Sequence, residues 1–358
     1  MANTRTSSDK VRVSVETANR FAINILQRCG LSEDQATIIA GALILADLRG
    51  VDTHGLNRLP GYLARVKAGM LNPAPILSFD EKTPVCAHLD AQNTFGFIAA
   101  SLAIDKGMSM AKTYGFGVVG VKNSGHYGMA ATYLLQAVKN GFGAFAFTNA
   151  SRSMPAWGSK EPLLGTSPFA VGLPGGEKGD FILDMSPAVV ARGTIRKAAR
   201  RGEEIPPGWA LDSEGKMTTD PLKALEGVVL PIGGAKGSGL AMMMDIFGGL
   251  LTGASFAGGV NDQYKDLDKP QGVGHWFLVF KPEIFLDSKE EYLKRMDTLL
   301  DTVRNSEKAA GVERIYTPGE IEEIKFCVRR EQGLEFTLSE IDALHDLAIE
   351  WGSTERLV

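Results

Sequence analysis

In the N-terminal part of the chain, apolar residues recur at the three- and four-residue spacing of amphipathic helices. Phe21, Ile25 and Leu26 share one face of a predicted helix that Ser14 caps, that runs towards Cys29 and that Gly30 ends. Ser32 and Gln35 form a capping-box pattern for a second helix to about Asp47, with Ala36, Ile39, Ala40, Leu43 and Leu45 as its apolar set. Pro60 to Lys67 reads as a third, short helix with proline in its first turn, ending at Gly69. Two prolines between Asn72 and Pro75 then interrupt helix and mark a boundary.

Beyond that boundary the pattern alternates. Helices are predicted over Ala100–Tyr114 and Ala130–Asn140, and strands over Gly117–Val121, Ala144–Thr148, Pro168–Leu173, Phe181–Met185 and Trp276–Phe280. Ser288 with Glu291 makes a capping box for a helix to about Val303, and a last helix begins near Ser339. Gly202–Asp220 is polar and turn-rich and reads as a surface loop; Gly258–Gly274 is another polar loop and a candidate lid. The alternation argues for a layered α/β domain. The division expected is a helical N-terminal segment over residues 1–72, an α/β core over 73–285 and a helical C-terminal segment over 286–358.

Gly239–Val260 is almost wholly apolar, yet it carries Asp245 and is crowded with Gly, Ala and Ser. A membrane span needs about 20 apolar residues and avoids a central carboxylate, so this stretch is expected to be a buried helix in a soluble core. The 41 glycines lie within apolar stretches rather than in a linker, which points to close backbone packing. A net charge of −4 argues against an extended nucleic-acid surface. Cys29, Cys86 and Cys327 are too scattered for a disulfide framework or a zinc site, and Met1–Lys10 has no apolar leader core, so a cytoplasmic protein is expected.

Gly115, Gly117 and Gly120 spell the G-x-G-x-x-G dinucleotide fingerprint, but in the wrong setting. The fingerprint works between a strand and the helix that follows it; here a helix precedes and a strand follows, and no acidic residue in strand context lies about 20 positions on. Any dinucleotide site must be built another way. His54 shares a short segment with Asp52, Thr53, Arg49 and Arg58. Reducing a 2-keto acid needs a proton donor near the carbonyl oxygen, which histidine suits, and a bidentate cation for the carboxylate, which arginine suits. The same residues would equally serve as cations at a helix end with a structural salt bridge.

His126 follows a strand and precedes a helix, where α/β proteins bind ligands, and Asn123, Ser124 and Gly125 can expose backbone N–H groups beside it. A capped helix start with an exposed histidine would look the same. Lys236 stands in a glycine-rich turn at a helix start, placed for a phosphate or simply solvated. Arg196, Lys197, Arg200 and Arg201 read as a phosphate cluster, a solvated helix face or a subunit contact. His88, His275 and His345 are expected to be structural.

Taken in order, these segments resemble the type 2 malate/L-lactate dehydrogenase family, which also holds ureidoglycolate and sulfolactate dehydrogenases and cyclic-imine reductases. The resemblance rests on Arg49-Gly-Val-Asp-Thr-His-Gly-Leu-Asn-Arg58, Asn123-Ser-Gly-His-Tyr-Gly128, Trp157-Gly-Ser-Lys-Glu-Pro-Leu-Leu-Gly-Thr166, Ala191-Arg-Gly-Thr-Ile195, Pro206-Pro-Gly-Trp-Ala-Leu-Asp212, Lys236-Gly-Ser-Gly-Leu240 and Pro318-Gly-Glu320. It implies a non-Rossmann α/β fold with a mixed sheet, and a homodimer whose subunits complete each other's sites. It also implies NAD or NADP as hydride carrier, with NAD favoured, and no metal.

By position, the resemblance makes His54 or His126 the acid/base, since the imine-reductase and ureidoglycolate branches differ on this. Arg58 becomes the carboxylate ligand, Thr166 a substrate contact, and Thr53 a hydroxyl beside His54 where the imine-reductase branch has serine. Tyr127, Gly128, Met129, Ala130, Ala131, Thr148, Asn149, Ala150, Asp184, Met185, Ser186, Lys236, Pro318, Gly319 and Glu320 become the dinucleotide lining. Ala150 replaces a serine of the ureidoglycolate branch, so that hydrogen bond is expected to be absent, and Thr194 stands where the imine-reductase branch has an acidic relay residue, which favours 2-hydroxy-acid chemistry. A cyclic-imino-acid reductase, a ureidoglycolate dehydrogenase or a non-catalytic nucleotide-binding protein are the alternatives.

Overall fold

The computed structural model describes residues 10–358, so the Met1–Lys10 stretch read for a leader lies, apart from Lys10, outside the described residues. The centre is a seven-stranded mixed sheet of β2 (Phe79–Thr83), β3 (Cys86–Asp90), β4 (Phe116–Ser124), β5 (Gly143–Thr148), β8 (Phe169–Leu173), β9 (Phe181–Met185) and β13 (Val273–Phe280). The spatial order is β2-β3-β4-β13-β5-β8-β9, with β3 and β4 parallel and every other pair antiparallel. Along β4 and β13 the side chains alternate between buried and half-buried, and Val119, Val121, Phe277 and Val279 enter the core.

Helices α4 (Gly96–Tyr114) and α5 (Ala131–Lys139) cover the sheet. Of the apparent fingerprint, Gly115 is the left-handed C-cap of α4, and Gly117 is where α4 lies directly on β4. A Cβ at Gly117 would run into the Gly107 carbonyl oxygen and sit 2.9 Å from Met110 Cβ, while one at Gly107 would sit 2.7 Å from Val279. The glycines therefore bring helix and sheet together rather than hold a phosphate.

A second core joins α1 (Val15–Arg28), α2 (Glu33–Leu48), α3 (Leu59–Lys67) and α11 (Leu338–Glu350) to the start of α4. Ser14 accepts from Thr17 N–H, and Ser32 and Gln35 complete the capping box. Strand β1 (Lys10–Val13) pairs antiparallel with β14 (Leu334–Thr337), so the start of the described chain meets the C-terminal segment. Strands β6 (Arg152–Met154) and β7 (Leu164–Gly165) form a ribbon. A smaller third core gathers around α6 (Arg192–Arg201), α7 (Pro221–Glu226) and the short strands β10 (Ala210–Leu211), β11 (Met217–Thr218) and β12 (Val228–Val229).

Three expectations need correction. Gly239–Val260 is not a buried helix: α8 (Ala235–Asp245) runs on into a π-turn at Ile246–Leu250, and Met242, Ile246 and Leu250 are 51%, 42% and 51% exposed. Its inner face combines Gly237, Gly248 and Gly249, whose missing side chains admit neighbouring backbone, with Ser238, Ala241 and Met244, while Met242, Ile246 and Leu250 point outward. Gly202–Asp220 is not only loop, since it contributes β10 and β11. Ser288 caps α9 (Lys289–Arg304), but Glu291 returns to the N–H of Asp287 (3.4 Å), leaving half a capping box. No helix of the described residues is long and apolar enough to cross a membrane.

The Gly107–Gly117 contact leaves no room for a methyl group. Gly117→Ala is expected to destabilise the protein by about 1–3 kcal/mol, the usual cost of overpacking. A lower urea midpoint at unchanged m-value would show it, and a wild-type midpoint would refute the close seating of α4.

Candidate active site

The segment carrying His54 is shaped by a buried carboxylate. Asp47, at the end of α2, accepts from the N–H of Leu56 at 2.8 Å and fills the space that a side chain at Gly55 would need. Burial pushes its carboxyl up to about 7, against the pull of that N–H. From α10 (Glu320–Gln332), Arg329 donates to the Asp47 carbonyl and pairs with Asp52. Buried Arg49 reaches the same helix, donating to Glu323 at 2.7 Å and to the Gly319 carbonyl at 3.2 Å. So held, residues 52–58 form two 3-10 turns that lead into α3 and present His54 and Arg58.

His126 leaves the end of β4. Its backbone N–H donates to Gln271 Oε1 at 3.0 Å, and its Nδ1 accepts from Gly128 N–H at 3.2 Å and lies 2.7 Å from the Tyr62 hydroxyl. The rings of His54 and His126 stack with centroids 5.5 Å apart and an interplanar angle of 20°. Arg58 donates through Nε to the Thr53 carbonyl and through Nη1 to the Tyr264 hydroxyl, while Thr53 Oγ1 lies 3.0 Å from His54 Nδ1. Burial, with the Arg58 charge second, holds His54 down at about 4; burial, then His54 and Arg58, holds His126 well below its usual value. Two neutral imidazoles therefore face one guanidinium at neutral pH.

The sheet register explains how distant segments meet here. Val273 pairs with Ser124, His275 with Thr148, Phe147 with Phe169, and Phe169 with Met185. The ends of β4, β5 and β9 and the starts of β8 and β13 therefore share one edge. That edge gathers His126, Thr148–Ala150, Thr166 and Asp184–Ser186.

The individual partners are more varied. Asp184 caps α5 by accepting from Ala131 N–H at 2.8 Å, and burial lifts its carboxyl to about 6. Ser186 donates to the Thr166 carbonyl at 3.0 Å, while Met129 and Ala130 are buried at the α5 start. Met185 and Ala150 are half-buried. Tyr127 is buried, stacks on His275 at 4.7 Å, and its hydroxyl has no hydrogen-bond partner among the described residues. His275 bonds Thr148 and Ser124, each at 2.8 Å, and Asn149 clamps Ser255 and Gly274, so the side chains of Thr148 and Asn149 are already engaged within the fold.

The Pro318 carbonyl accepts from Ile182 N–H at 3.1 Å, and Gly319 (φ 90°) packs against Ile182. Glu320 is turned away to Arg304 and Arg314; although burial opposes it, Thr317 N–H and the two arginines bring its carboxyl to about 2. Lys236 is exposed in the first turn of α8, after Gly233 and Gly234 at φ 60° and 63°, and it has no ion-pair partner among the described residues. A free cation beside a glycine turn, together with an unpartnered buried phenol, fits a dinucleotide; the occupied side chains of Thr148, Asn149 and Glu320 leave mainly backbone at those positions. Among the described residues no cluster of three or more His, Cys, Asp or Glu is placed for a metal ion.

Sequence reasoning missed Tyr62, Arg65 and Tyr264. Arg58, Tyr62 and Arg65 stand at i, i+4 and i+7, a signal that one face of α3 is functional rather than solvated.

A family described as malate/L-lactate dehydrogenase matches residues 13–345. The chain is 37% identical over 340 residues to the L-sulfolactate dehydrogenase of Methanocaldococcus jannaschii, covering 94% of this chain and 96% of that one. The solved sulfolactate dehydrogenase from that organism superposes with a TM-score of 0.91 at 36% identity, covering 96% and 98%. Further similar proteins are the (2R)-3-sulfolactate dehydrogenase (NADP(+)) of Chromohalobacter salexigens, 33% identical over 94% of this chain and 98% of that one, and the ureidoglycolate dehydrogenase (NAD(+)) of Escherichia coli K12, 32% identical over 91% and 92%.

Asp47 makes stability depend on pH. An unfolded aspartate titrates near 3.9, so a folded value of about 7 means that the folded state holds the proton more tightly. This contribution is present below about pH 4 and is lost as pH rises through about 7. Asp47→Asn keeps an acceptor for Leu56 N–H, and its stability relative to wild type is expected to rise across that window and level off above it. Urea unfolding of both proteins at several pH values checks this; a constant difference would mean that Asp47 is ionised throughout.

Proposed function

The chain belongs to the malate/L-lactate dehydrogenase family, and from that premise we propose that it interconverts a small 2-hydroxy acid and its 2-keto acid with a nicotinamide dinucleotide. The observation that carries this reading is the convergence of Arg58 with the stacked, neutral His54 and His126 at one sheet edge. Arg58 binds the substrate carboxylate, which brings the C2 oxygen to the two rings. Thr166 lines the substrate side, and Thr53 orients His54 through Nδ1.

The two histidines have different work in this reading. Gly128 N–H donates to His126 Nδ1, so the ring proton is on Nε2, and Tyr62 is a second donor to the same nitrogen. His126 therefore offers Nε2–H to the C2 oxygen as a fixed hydrogen-bond donor and does not take up a second proton. The proton mover is His54, whose Nδ1–H donates to Thr53 and whose Nε2 takes the hydroxyl proton in oxidation and returns it in reduction. Burial is the larger cause of the low His54 value and the Arg58 charge the smaller; a carboxylate on Arg58 offsets that second part and so raises the basicity of His54.

A bound nicotinamide supplies the hydride donor or acceptor. Lys236 with the Gly233–Gly234 turn, the Tyr127–Ala131 segment, the Thr148–Ala150 and Asp184–Ser186 strand ends and Pro318–Glu320 would hold the dinucleotide. The carrier is NAD or NADP, with NAD favoured. The functional unit is a homodimer with shared sites, supported by the exposed apolar residues Met242 of α8, Ile246 and Leu250 of the π-turn, and Leu251 and Phe256 just beyond it. A reducing, cytoplasmic setting fits three cysteines without disulfides.

Cofactor oxidation followed spectrophotometrically with NADH and NADPH, across pyruvate, oxaloacetate, other 2-keto acids and piperideine-2-carboxylate, tests the reading. Turnover of a 2-keto acid is expected, with NADH preferred; preference for the cyclic imine would make the protein an imine reductase. His54→Ala should lower kcat by roughly 10²–10⁴-fold and remove its pH dependence. His126→Ala should lower kcat by roughly 10²–10³-fold with the pH profile kept. Arg58→Lys should mainly raise KM. Near-wild-type activity in both histidine variants would sink the mechanism. In light scattering, Met242→Asp with Leu250→Asp should shift the protein from dimer to monomer; an unchanged mass would place the interface elsewhere.

A further inference from the structure

The Gly258–Gly274 segment, expected from sequence as a lid, runs into β13 at Val273, and the loop before that strand is fastened to α3. Arg65, fully buried, donates to three carbonyls of this loop: Gln263 at 3.3 Å, Asp266 at 3.0 Å and Lys269 at 2.5 Å. Within the loop, Asp262 Oδ1 accepts from Tyr264 N–H at 2.8 Å and Lys265 N–H at 3.1 Å, and Asp262 N–H donates to Asp266 at 2.8 Å. The result is a tight turn with Tyr264 at its tip. The ring lies over Gly61, where an added Cβ would sit 2.8 Å from its Cε1, and the Arg58 guanidinium carbon is 5.6 Å from the ring centroid. Arg58, Gly61 and Arg65 share one face of α3, so that face carries the cation, the seat for the ring and the anchor of the loop.

The donor inventory shows what this arrangement offers. A guanidinium has five N–H donors. Nε–H serves the Thr53 carbonyl and one Nη1–H serves the Tyr264 oxygen, which leaves three for a ligand. The phenol accepts from Arg58 and has no other hydrogen-bond partner among the described residues, so its own O–H is free to donate.

We propose that Tyr264 is a substrate-binding residue that completes the carboxylate receptor with Arg58, its O–H donating to one carboxylate oxygen while Arg58 serves both. This rests on the dehydrogenase reading and deepens it. A receptor built only of donors suits a free 2-oxo or 2-hydroxy carboxylate and rejects the corresponding amide, whose NH₂ would face donors without an acceptor.

Tyr264→Phe keeps the ring on Gly61 and over Arg58 and removes only the hydroxyl. The expected result is a rise in KM for the 2-keto acid of roughly ten- to hundredfold with kcat within about twofold, the scale of one hydrogen bond to a charged group. The inhibition constant of oxamate, a non-reducible carboxylate, should rise by the same factor, and NADH affinity by fluorescence titration should not move. Gly61→Ala, which pushes the ring off its seat, should give the same loss, and the double variant should be no worse than either single one. An unchanged KM would overturn the proposal, and so would a lowered KM, which would make Tyr264 a competitor for Arg58. A loss confined to kcat would overturn it as well. Absence of turnover in the wild type on every 2-keto acid would instead overturn the dehydrogenase reading itself.

Discussion

Strand β13 hydrogen-bonds to β4 on one side and β5 on the other, and the site depends on that double pairing. Without it the sheet would fall into two ribbons, and the segments that follow β4 and β5 would have no common edge. The pairing is steep in specificity, because a one-residue slip would turn Phe277 and Val279 out of the core. His275 reinforces it from within the strand, bonding Thr148 on one neighbour and Ser124 on the other while its ring supports Tyr127. Burial holds this histidine down at about 3, so it stays neutral and keeps both bonds through the physiological range.

The electrostatics of the site follow from where charge is allowed to remain. Arg49 and Arg65 are buried and Arg58 is half-buried, and Arg49 and Arg65 are answered by carbonyls or a carboxylate. Arg58 meets only a carbonyl and a neutral hydroxyl, so its charge is left for a ligand. That contrast marks Arg58 out from Arg49 and Arg65, whose terminal guanidinium nitrogens are engaged within the fold.

Much of this was legible in the sequence wherever the signal is local. The caps at Ser14 and Ser32, the proline-led start of α3 and the strands Phe169–Leu173 and Phe181–Met185 follow from side-chain chemistry within a few residues. The rejected glycine fingerprint was readable for the same reason, as its order relative to helix and strand is a local fact. Strand order was not legible, because alternation in β13 says that it is a strand but not which strands it joins. The outward face of α8 misled for a related reason: glycines on one side can bury a helix as firmly as leucines, and hydrophobicity alone does not tell which side is in. Tyr264 was hidden because its partner Arg58 lies 206 positions away.

The ties of α10 to the His54 segment bear on how the protein is made. Arg49 meets Glu323 across 274 residues of chain, and Arg329 meets Asp52 across 277. Closing such loops is slow, because the entropy is lost before the contacts form. During synthesis the helices at the N-terminus leave the ribosome early, but the segment bearing His54 and Arg58 lacks its clamp until α10 has followed. Until then the nascent chain carries the reactive groups without the geometry that makes them an enzyme.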